Sequence, residues 1–397
     1  MTKLHILCLD PDGGFGGSAR SLLETIKQVD PNQIALEVWC RRRGPVVSAY
    51  EDLGVDCIVR NDMPSASSLP TLSRNLYYYL IKFMEFYRAR KFKTDLARKL
   101  NSGVDLVHLN HEGLFLLARW LKKHSKTPRS MHIRKSITNT IFARWQMRLI
   151  SRSVDGLFFI TENEERRFEE MGGFGTGRVI YNIFCPSDKT IEPLPELLSE
   201  DGLKVACLSN YSWSRGIDRL VDVASSLKKK NRSDILFVIA GDMQLPKGLP
   251  GVLGEVARKG GQLSDYASHR GVADMFRFLG HVSEPESVLA GCELLVKPTR
   301  QANPWGRDII EALGMERPVL SVGTWDTFVR NGETGLLTPE FDADVWAKAL
   351  IEFADDRDGL REMGIAGRKL VTELCNPVMR SGEVVNEWRT LAGRTNA

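Results

Sequence analysis

The sequence predicts an α/β protein made of two Rossmann-like, doubly wound domains facing a cleft. Three observations carry this. Short apolar runs alternate with helical patterns through the first half, as in a parallel sheet covered on both faces. Near residue 190 the stretch PSDKTIEPLPELLSEDG is rich in proline and acid and lacks an apolar period, the texture of an interdomain linker. The alternation then restarts, and 397 residues suffice for two cores. The expected division is 1–190 for the first domain, 191–202 for the linker and 203–375 for the second domain. The last segment, 376–397, contains NPVMRSGEVVNEWRTLA, a helix expected to pack back on the first domain.

In the first domain LHILCLD reads as a strand, and Ala19, Leu22, Leu23 and Ile26 follow at helical spacing. The strands IALEVWC, VDCIVR, VDLVHLN, TPRSMHI, VDGLFFIT and GRVIYNI come next. The second domain opens with the strand LKVACLSN and the helix IDRLVDVASSLKK. ILFVIAGD, FRFLGHV, CELLVKPT and PVLSVG are its further strands, and DIIEALG is a helix before the last of them. Open parallel sheets bind ligands at the carboxyl ends of their strands, so those ends are where site residues are sought.

Composition narrows the function classes. A formal charge of +4 is too small to imply nucleic acid by itself. Seven scattered cysteines without a C-x-x-C pair argue against a disulfide framework or a zinc site and suit a reducing cytosol. The seven histidines are dispersed without ligand spacing, so no metal is expected. The apolar run in MTKLHILCLDPD is too short for a signal peptide, and no stretch is long enough to span a membrane. The expected location is therefore cytoplasmic. One segment stands apart: around residues 77–93 Tyr77, Tyr78, Tyr79, Phe83, Phe86 and Tyr87 mix with Lys82, Arg88, Arg90, Lys91 and Lys93. Such a helix suits the surface of an anionic membrane, at the inner face of the cytoplasmic membrane; it equally suits a core helix with a solvated basic end.

The loop DPDGGFGGSARS contains Gly14-x-Gly16-x-x-Ala19, which fits the dinucleotide fingerprint G-x-G-x-x-G/A. Asp10, Pro11, Asp12 and Gly13 separate the strand from that match, so the loop is longer and stiffer than in a dinucleotide fold. Its glycines allow close approach of a ligand, and the helix N-terminus behind them favours an anion. Arg41, Arg42 and Arg43 follow the second strand, where an NADP-binding arginine could lie; a solvated basic loop is the plainer reading. In the second domain KPTRQANPWGRDIIEALGMERPVLSVG places Pro304 and Gly306 before a short helix. Gly306 exposes the first helical amides, at Arg307 and Asp308, to an anion. Glu311 lies one turn further in, where a carboxylate can accept from a ribose diol; by itself it reads more plainly as a helix salt-bridge partner.

This last segment resembles the E-x7-E region of the retaining GT-B glycosyltransferases of family 4, and further pieces fit in order along almost the whole chain. DGGFGGSARSLLE is similar to that family's glycine loop, which assigns Gly16 and Gly17 to the donor. SMHIRKS resembles the strand ending in a donor-site histidine, here His132. RVIYNIF resembles a VIPNGV junction, giving Asn182. NYSWSRGIDRLVD and VIAGD resemble segments of the nucleotide domain, and GETGLL near residue 335 also fits. The chain departs from the family where its first glutamate falls on Asn303, a neutral amide. The diphosphate arginine falls on Asn210 and the lysine on Arg215. Arg215 can still grip a phosphate bidentately, and Arg300 and Arg307 stand nearby as possible substitutes.

The resemblance implies a GT-B fold, a nucleotide diphosphate sugar donor and retention at the anomeric carbon. Arg215, the Gly306 turn and the glycine loop would face the leaving diphosphate. Asn303, Arg307 and Asp308 would complete the donor site, with Glu311 on the ribose and His132 orienting the sugar. In the front-face mechanism proposed for that family the donor phosphate accepts the acceptor proton, and no metal or other cofactor is called for. The acceptor, a glycan or lipid-linked glycan of surface polysaccharide or lipopolysaccharide assembly, would bind the first domain. Two rivals stand beside this reading: a non-catalytic nucleotide-sugar sensor, prompted by Asn303 and Asn210, and an NADP oxidoreductase.

Overall fold

A computed structural model describes residues 3–65, 76–134, 139–186, 190–199 and 202–393, and of Leu76, Tyr77 and Tyr78 the backbone alone. The chain divides into two compact units, Met1–Cys185 with Cys375–Ala397, and Pro186–Leu374.

The first unit is built on a seven-stranded parallel sheet. Its strands are β1 (Leu4–Asp10), β2 (Ile34–Cys40), β3 (Asp56–Val59), β4 (Leu106–Leu109), β5 (Arg129–Ile133), β6 (Gly156–Phe159) and β7 (Gly177–Val179). They lie in the order β3-β2-β1-β4-β5-β6-β7, so the chain direction across the sheet reverses between β1 and β4. Alternate residues of β1 enter different cores. Leu4, Ile6 and Cys8 pack with Ala19, Leu22, Leu23 and Ile26 on one face, while Leu7 and Leu9 pack with Phe92, Phe115 and Met131 on the other. Two buried faces explain why the strands read as nearly continuous apolar runs. The C-terminal helix Pro377–Leu391 belongs to this unit, where Val384 and the fully buried Trp388 join the first of these cores.

The second unit carries a six-stranded parallel sheet: β8 (Leu203–Leu208), β9 (Ile235–Ala240), β10 (Phe276–Gly280), β11 (Leu294–Lys297), β12 (Val319–Val322) and β13 (Gly335–Thr338). The order is β10-β9-β8-β11-β12-β13. The α/β, doubly wound class expected of both halves is the one found. Residues 190–199, inside the stretch that reads as linker, lie on this second unit. The amide of Leu194 donates to the carbonyl of Ser287, and Leu197 is buried against Gly291. The two leucines explain the docking, since they offer apolar surface within an otherwise acidic, proline-rich stretch.

Candidate functional site

In both units most of the donor-site candidates lie at the carboxyl ends of the sheet strands or in the loops and helix turns that follow them. In the first unit β1 ends at Asp10, and the loop turns into the helix Gly17–Lys27, whose N-cap, Gly16, has no side-chain cap. The glycines here are of two kinds. A Cβ on Gly13 would stand 1.8 Å from the Arg42 carbonyl oxygen, and one on Gly44 would stand 2.1 Å from that of Gly13. These two glycines let the 10–14 and 41–44 loops touch through their backbones. Gly14 and Gly16 would meet only the Asp12 side chain, at ordinary contact distance, and Gly17 nothing within 4 Å. None of these loop glycines has a positive φ. Packing and backbone conformation therefore leave Gly14, Gly16 and Gly17 unexplained, and close approach of a ligand would explain them.

The loop's charge is acidic. Asp12 accepts from the Gly14 amide at 3.3 Å and pairs with Arg42 at 2.9 Å. Partial burial works against its ionisation, but Arg42 and the loop amides hold Asp12 below the usual carboxylate range. Asp10 is fully buried, and burial pushes its pKa up to about 6 against the pull of the Asp12 amide and Arg134. The three arginines belong to this framework. Arg41 donates to the Met63 carbonyl, Arg42 holds Asp12, and Arg43 pairs with Glu51.

His132 sits at the end of β5, beside β4, and is buried with His108 and Arg134. His132 Nδ1 lies 3.2 Å from His108 Nε2 and 3.2 Å from Arg134 Nη2. His108 Nδ1 lies 2.9 Å from the Ser130 hydroxyl. Arg134 is held by donation from Nε to the Asn110 carbonyl at 2.9 Å and from Nη2 to the Asn110 side chain. Its amide donates to Glu112 at 3.0 Å. Burial, reinforced by Arg134, keeps both imidazoles neutral: His108 is lowered to about 3, and His132 falls well below its ordinary value. Asn182 reaches the helix after the glycine loop, where its side-chain oxygen accepts from Ser21 at 2.6 Å.

In the second unit the loop after β8 and the loop after β11 are stitched together. The amide of Arg300 donates to the Ser214 carbonyl at 2.9 Å, and Gly216, at φ +70°, lets the Pro298 carbonyl approach where a Cβ would overlap it. Arg215 is exposed on this junction and donates to the Ser209 hydroxyl. Gly306, at φ +154°, opens the helix Arg307–Gly314 without a side-chain cap. Lys297 Nζ reaches the Trp305 carbonyl at 2.6 Å and the Asp308 carboxylate at 2.9 Å. Glu311 is buried and has an ion-pair partner one turn back, Arg307, at 3.0 Å. Asn303 has a buried side-chain oxygen with no hydrogen-bond partner and follows Ala302, which is held at φ +46°. A strained residue beside an unsatisfied polar atom is a frequent mark of a ligand position.

The arginines expected to replace the missing cation are both engaged. Arg300 bridges Asp218 and stacks 3.5 Å from the centre of the Trp213 ring, and Arg307 faces Glu311. Asn210, on the expected cation position, accepts from the Asp242 amide at 2.8 Å and so ties down the turn after β9. The structure adds residues the sequence reading passed over: His108, Asn110, Arg134 and Asp10 in the first unit, Lys297 in the second. Their signal was a polar residue inside an otherwise apolar buried strand or at its end.

The aromatic-basic segment forms the helices Leu76–Arg88 and Arg90–Leu100. Tyr79 and Lys82 are buried, while Leu80, Phe83, Met84 and Tyr87 are 46% or more exposed, in one i, i+3, i+4, i+7 stripe. No helix among the described residues is long and apolar enough to cross a membrane. Among them, no cluster of three His, Cys, Asp or Glu side chains could hold a metal ion.

Residues 188–370, which lie within the second unit, match the family model described as Glycosyl transferases group 1. A D-inositol 3-phosphate glycosyltransferase of Nocardia farcinica is 24% identical over 379 residues, covering 89% of this chain and 80% of that protein. HepE of Anabaena, solved with UDP and with UDP-glucose, shares 17% identity over 98% of this chain and 100% of its own, with TM-scores of 0.75 and 0.74. Sucrose-phosphate synthase from Thermosynechococcus elongatus shares 19% identity, with 99% and 100% coverage and a TM-score of 0.71. The fold is that of GT-B glycosyltransferases. Together the group 1 domain and the fold support a GT-B glycosyltransferase.

Proposed function

We propose that this chain transfers a sugar, with retention, from a nucleotide diphosphate sugar to a glycan or lipid-linked glycan. The observation that carries the reading is the uncapped helix opening at Gly306, inside the group 1 domain, with Lys297 beside it and Glu311 one turn in. Its amides and Arg215 would stabilise charge growing on the leaving diphosphate. Glu311 would take the ribose, and Asn303, Arg307 and Asp308 would complete the donor site. His132 and the loop at Gly16 and Gly17 would meet the sugar, with Asn182 bracing the helix behind that loop. A neutral sugar suits a loop that carries Asp10 and Asp12 better than a phosphate does. No metal is assigned a role. Uridine is the base we favour, because HepE was solved with UDP and UDP-glucose.

Calorimetric titration with UDP, UDP-glucose, GDP, ADP and NADP tests this. UDP or another nucleoside diphosphate should bind and NADP should not; NADP binding alone refutes the reading. Glu311→Ala should weaken UDP binding at least about tenfold, the cost of a charged hydrogen-bonding group. An NMR time course with an acceptor should show the product forming with the donor's anomeric configuration. The sensor reading has one observation in its favour, the missing charge at Asn210 and Asn303. Binding of a nucleotide sugar without hydrolysis or transfer would establish it.

The exposed stripe Leu80, Phe83, Met84 and Tyr87, beside Arg88, Arg90 and Lys91, supports peripheral contact with an anionic membrane. An acceptor lodged in a cytoplasmic membrane, as in surface polysaccharide or lipopolysaccharide assembly, would be reached that way. Flotation with anionic liposomes at low salt should carry active protein upward; failure to float removes this part. The inositol phosphate acceptor named for the Nocardia relative defines the alternative acceptor class.

A further inference from the structure

The imidazole of His132 receives two neighbours on one nitrogen. His108 Nε2 and Arg134 Nη2 both lie 3.2 Å from His132 Nδ1. A guanidinium can only donate, so Nδ1 must offer its lone pair. Rotating the ring by half a turn would set a carbon against both groups, so the contacts also fix the ring's orientation. His108 Nε2 cannot present a second lone pair to the same atom and must donate as well. His108 Nδ1 is then bare and accepts from the Ser130 hydroxyl, 2.9 Å away. The proton of neutral His132 is left on Nε2.

We propose that Arg134 and His108 are positioning residues that hold His132 as its Nε2–H tautomer, so that His132 presents a hydrogen-bond donor, and not a base, to an oxygen of the donor sugar. The assignment of the ligand rests on the glycosyl-transfer reading; the tautomer does not.

The surroundings make the arrangement rigid. Arg134 is anchored by the Asn110 carbonyl and side chain, and Asn110 Nδ2 in turn donates to the Ser18 carbonyl at 3.2 Å, in the first turn of the helix behind the glycine loop. The rings of Phe158 and Trp388 pack on the pair, with centroids 5.1 Å from His132 and 5.4 Å from His108. The same chain of contacts thus links the glycine loop to the histidine. A donor whose proton position is set before the ligand arrives loses no free energy to tautomer selection on binding.

Long-range proton–nitrogen correlation on protein labelled with 15N-histidine tests the inference at pH 7.5, His132 being assigned by its loss in His132→Asn. The wild type should show His132 with a protonated Nε2 and a bare Nδ1. Arg134→Met should give a mixture of tautomers. His108→Gln and His108→Phe both keep the Arg134 guanidinium on Nδ1 and should retain the Nε2–H form. A wild-type Nδ1–H signal, or an unchanged tautomer in folded Arg134→Met, overturns the proposal, and the wild-type spectrum decides even if the variants do not fold. For the ligand, Arg134→Met should lose about fivefold to tenfold in UDP-glucose affinity, the size of one hydrogen bond, with UDP affinity unchanged. Equal losses for both overturn the sugar assignment. If neither binds to the wild type, the glycosyl-transfer reading and with it the sugar assignment fall, and the spectrum still decides the tautomer.

Discussion

The glycine turn at residues 10–17 and the one at residues 297–308 share a plan, strand, turn and uncapped helix, yet they are held by opposite means. In the first unit the conformation needs Gly13 and Gly44, which touch backbone, while Gly14, Gly16 and Gly17 have ordinary φ and room for a Cβ. In the second, Gly306 is called for by its backbone conformation. Its φ is +154°, and a Cβ would crowd both Asp308 and Lys297. Each turn carries one ion pair, Arg42 with Asp12 at the first and Lys297 with Asp308 at the second, and the first adds the buried Asp10. The two turns are therefore built differently, the first by backbone contact between loops and the second by a positive φ.

The largest effect should come from Gly13→Ala. Its Cβ would overlap a carbonyl oxygen, so one loop must move, and a loss of about 3 kcal/mol or more is expected in urea unfolding. Gly17→Ala should stay within about 0.5 kcal/mol of the wild type, since nothing meets its Cβ at the start of a helix. It should nevertheless weaken UDP-glucose binding relative to UDP. Equal stability losses at 13 and 17 would abolish the distinction between the two kinds of glycine.

That distinction was not legible in the sequence, because DGGFGG gives each glycine the same appearance. What separates them is the loop at 41–44, brought alongside by the pairing of β1 with β2. The strands themselves were legible, since a sheet buried on both faces writes apolar runs. β13 was visible only through the family-like GETGLL. The same limit hid Arg134 and His108. Their partnership depends on β4 lying beside β5, and no local period records which strands are neighbours. The pairing of Arg300 with Asp218, 82 positions away, was hidden for the same reason.

A middle-sized effect is expected from pH, where the buried charges of the first unit act in opposite senses. Asp10 rises to about 6 on folding, so the native state holds a proton that the unfolded chain releases near 4. Its contribution to stability therefore falls as pH rises from about 4 to 6. His108 is lowered to about 3, so between roughly 6.5 and 3 the unfolded state binds the extra proton, and stability falls as pH drops. Asp10→Asn should consequently stabilise the protein at pH 8 by up to about 3 kcal/mol, with the gain shrinking toward zero near pH 4. Urea unfolding of both proteins at the two pH values checks it. A difference independent of pH would show that Asp10 is not the group responsible.

The smallest effect should belong to Arg42, which in sequence reads as part of a solvated basic loop in preference to a coenzyme contact. Its guanidinium is 66% exposed and pairs with Asp12, itself 36% exposed. Water screens such a pair, so Arg42→Ala should cost less than about 1 kcal/mol. It also leaves the Arg42 carbonyl, the group that Gly13 meets, in place. NADP should bind neither protein. A large loss of stability in Arg42→Ala would mean that the side chain, and not the backbone contact at Gly13, holds the two loops together. That outcome would move the origin of the first turn's shape from its glycines to its charge.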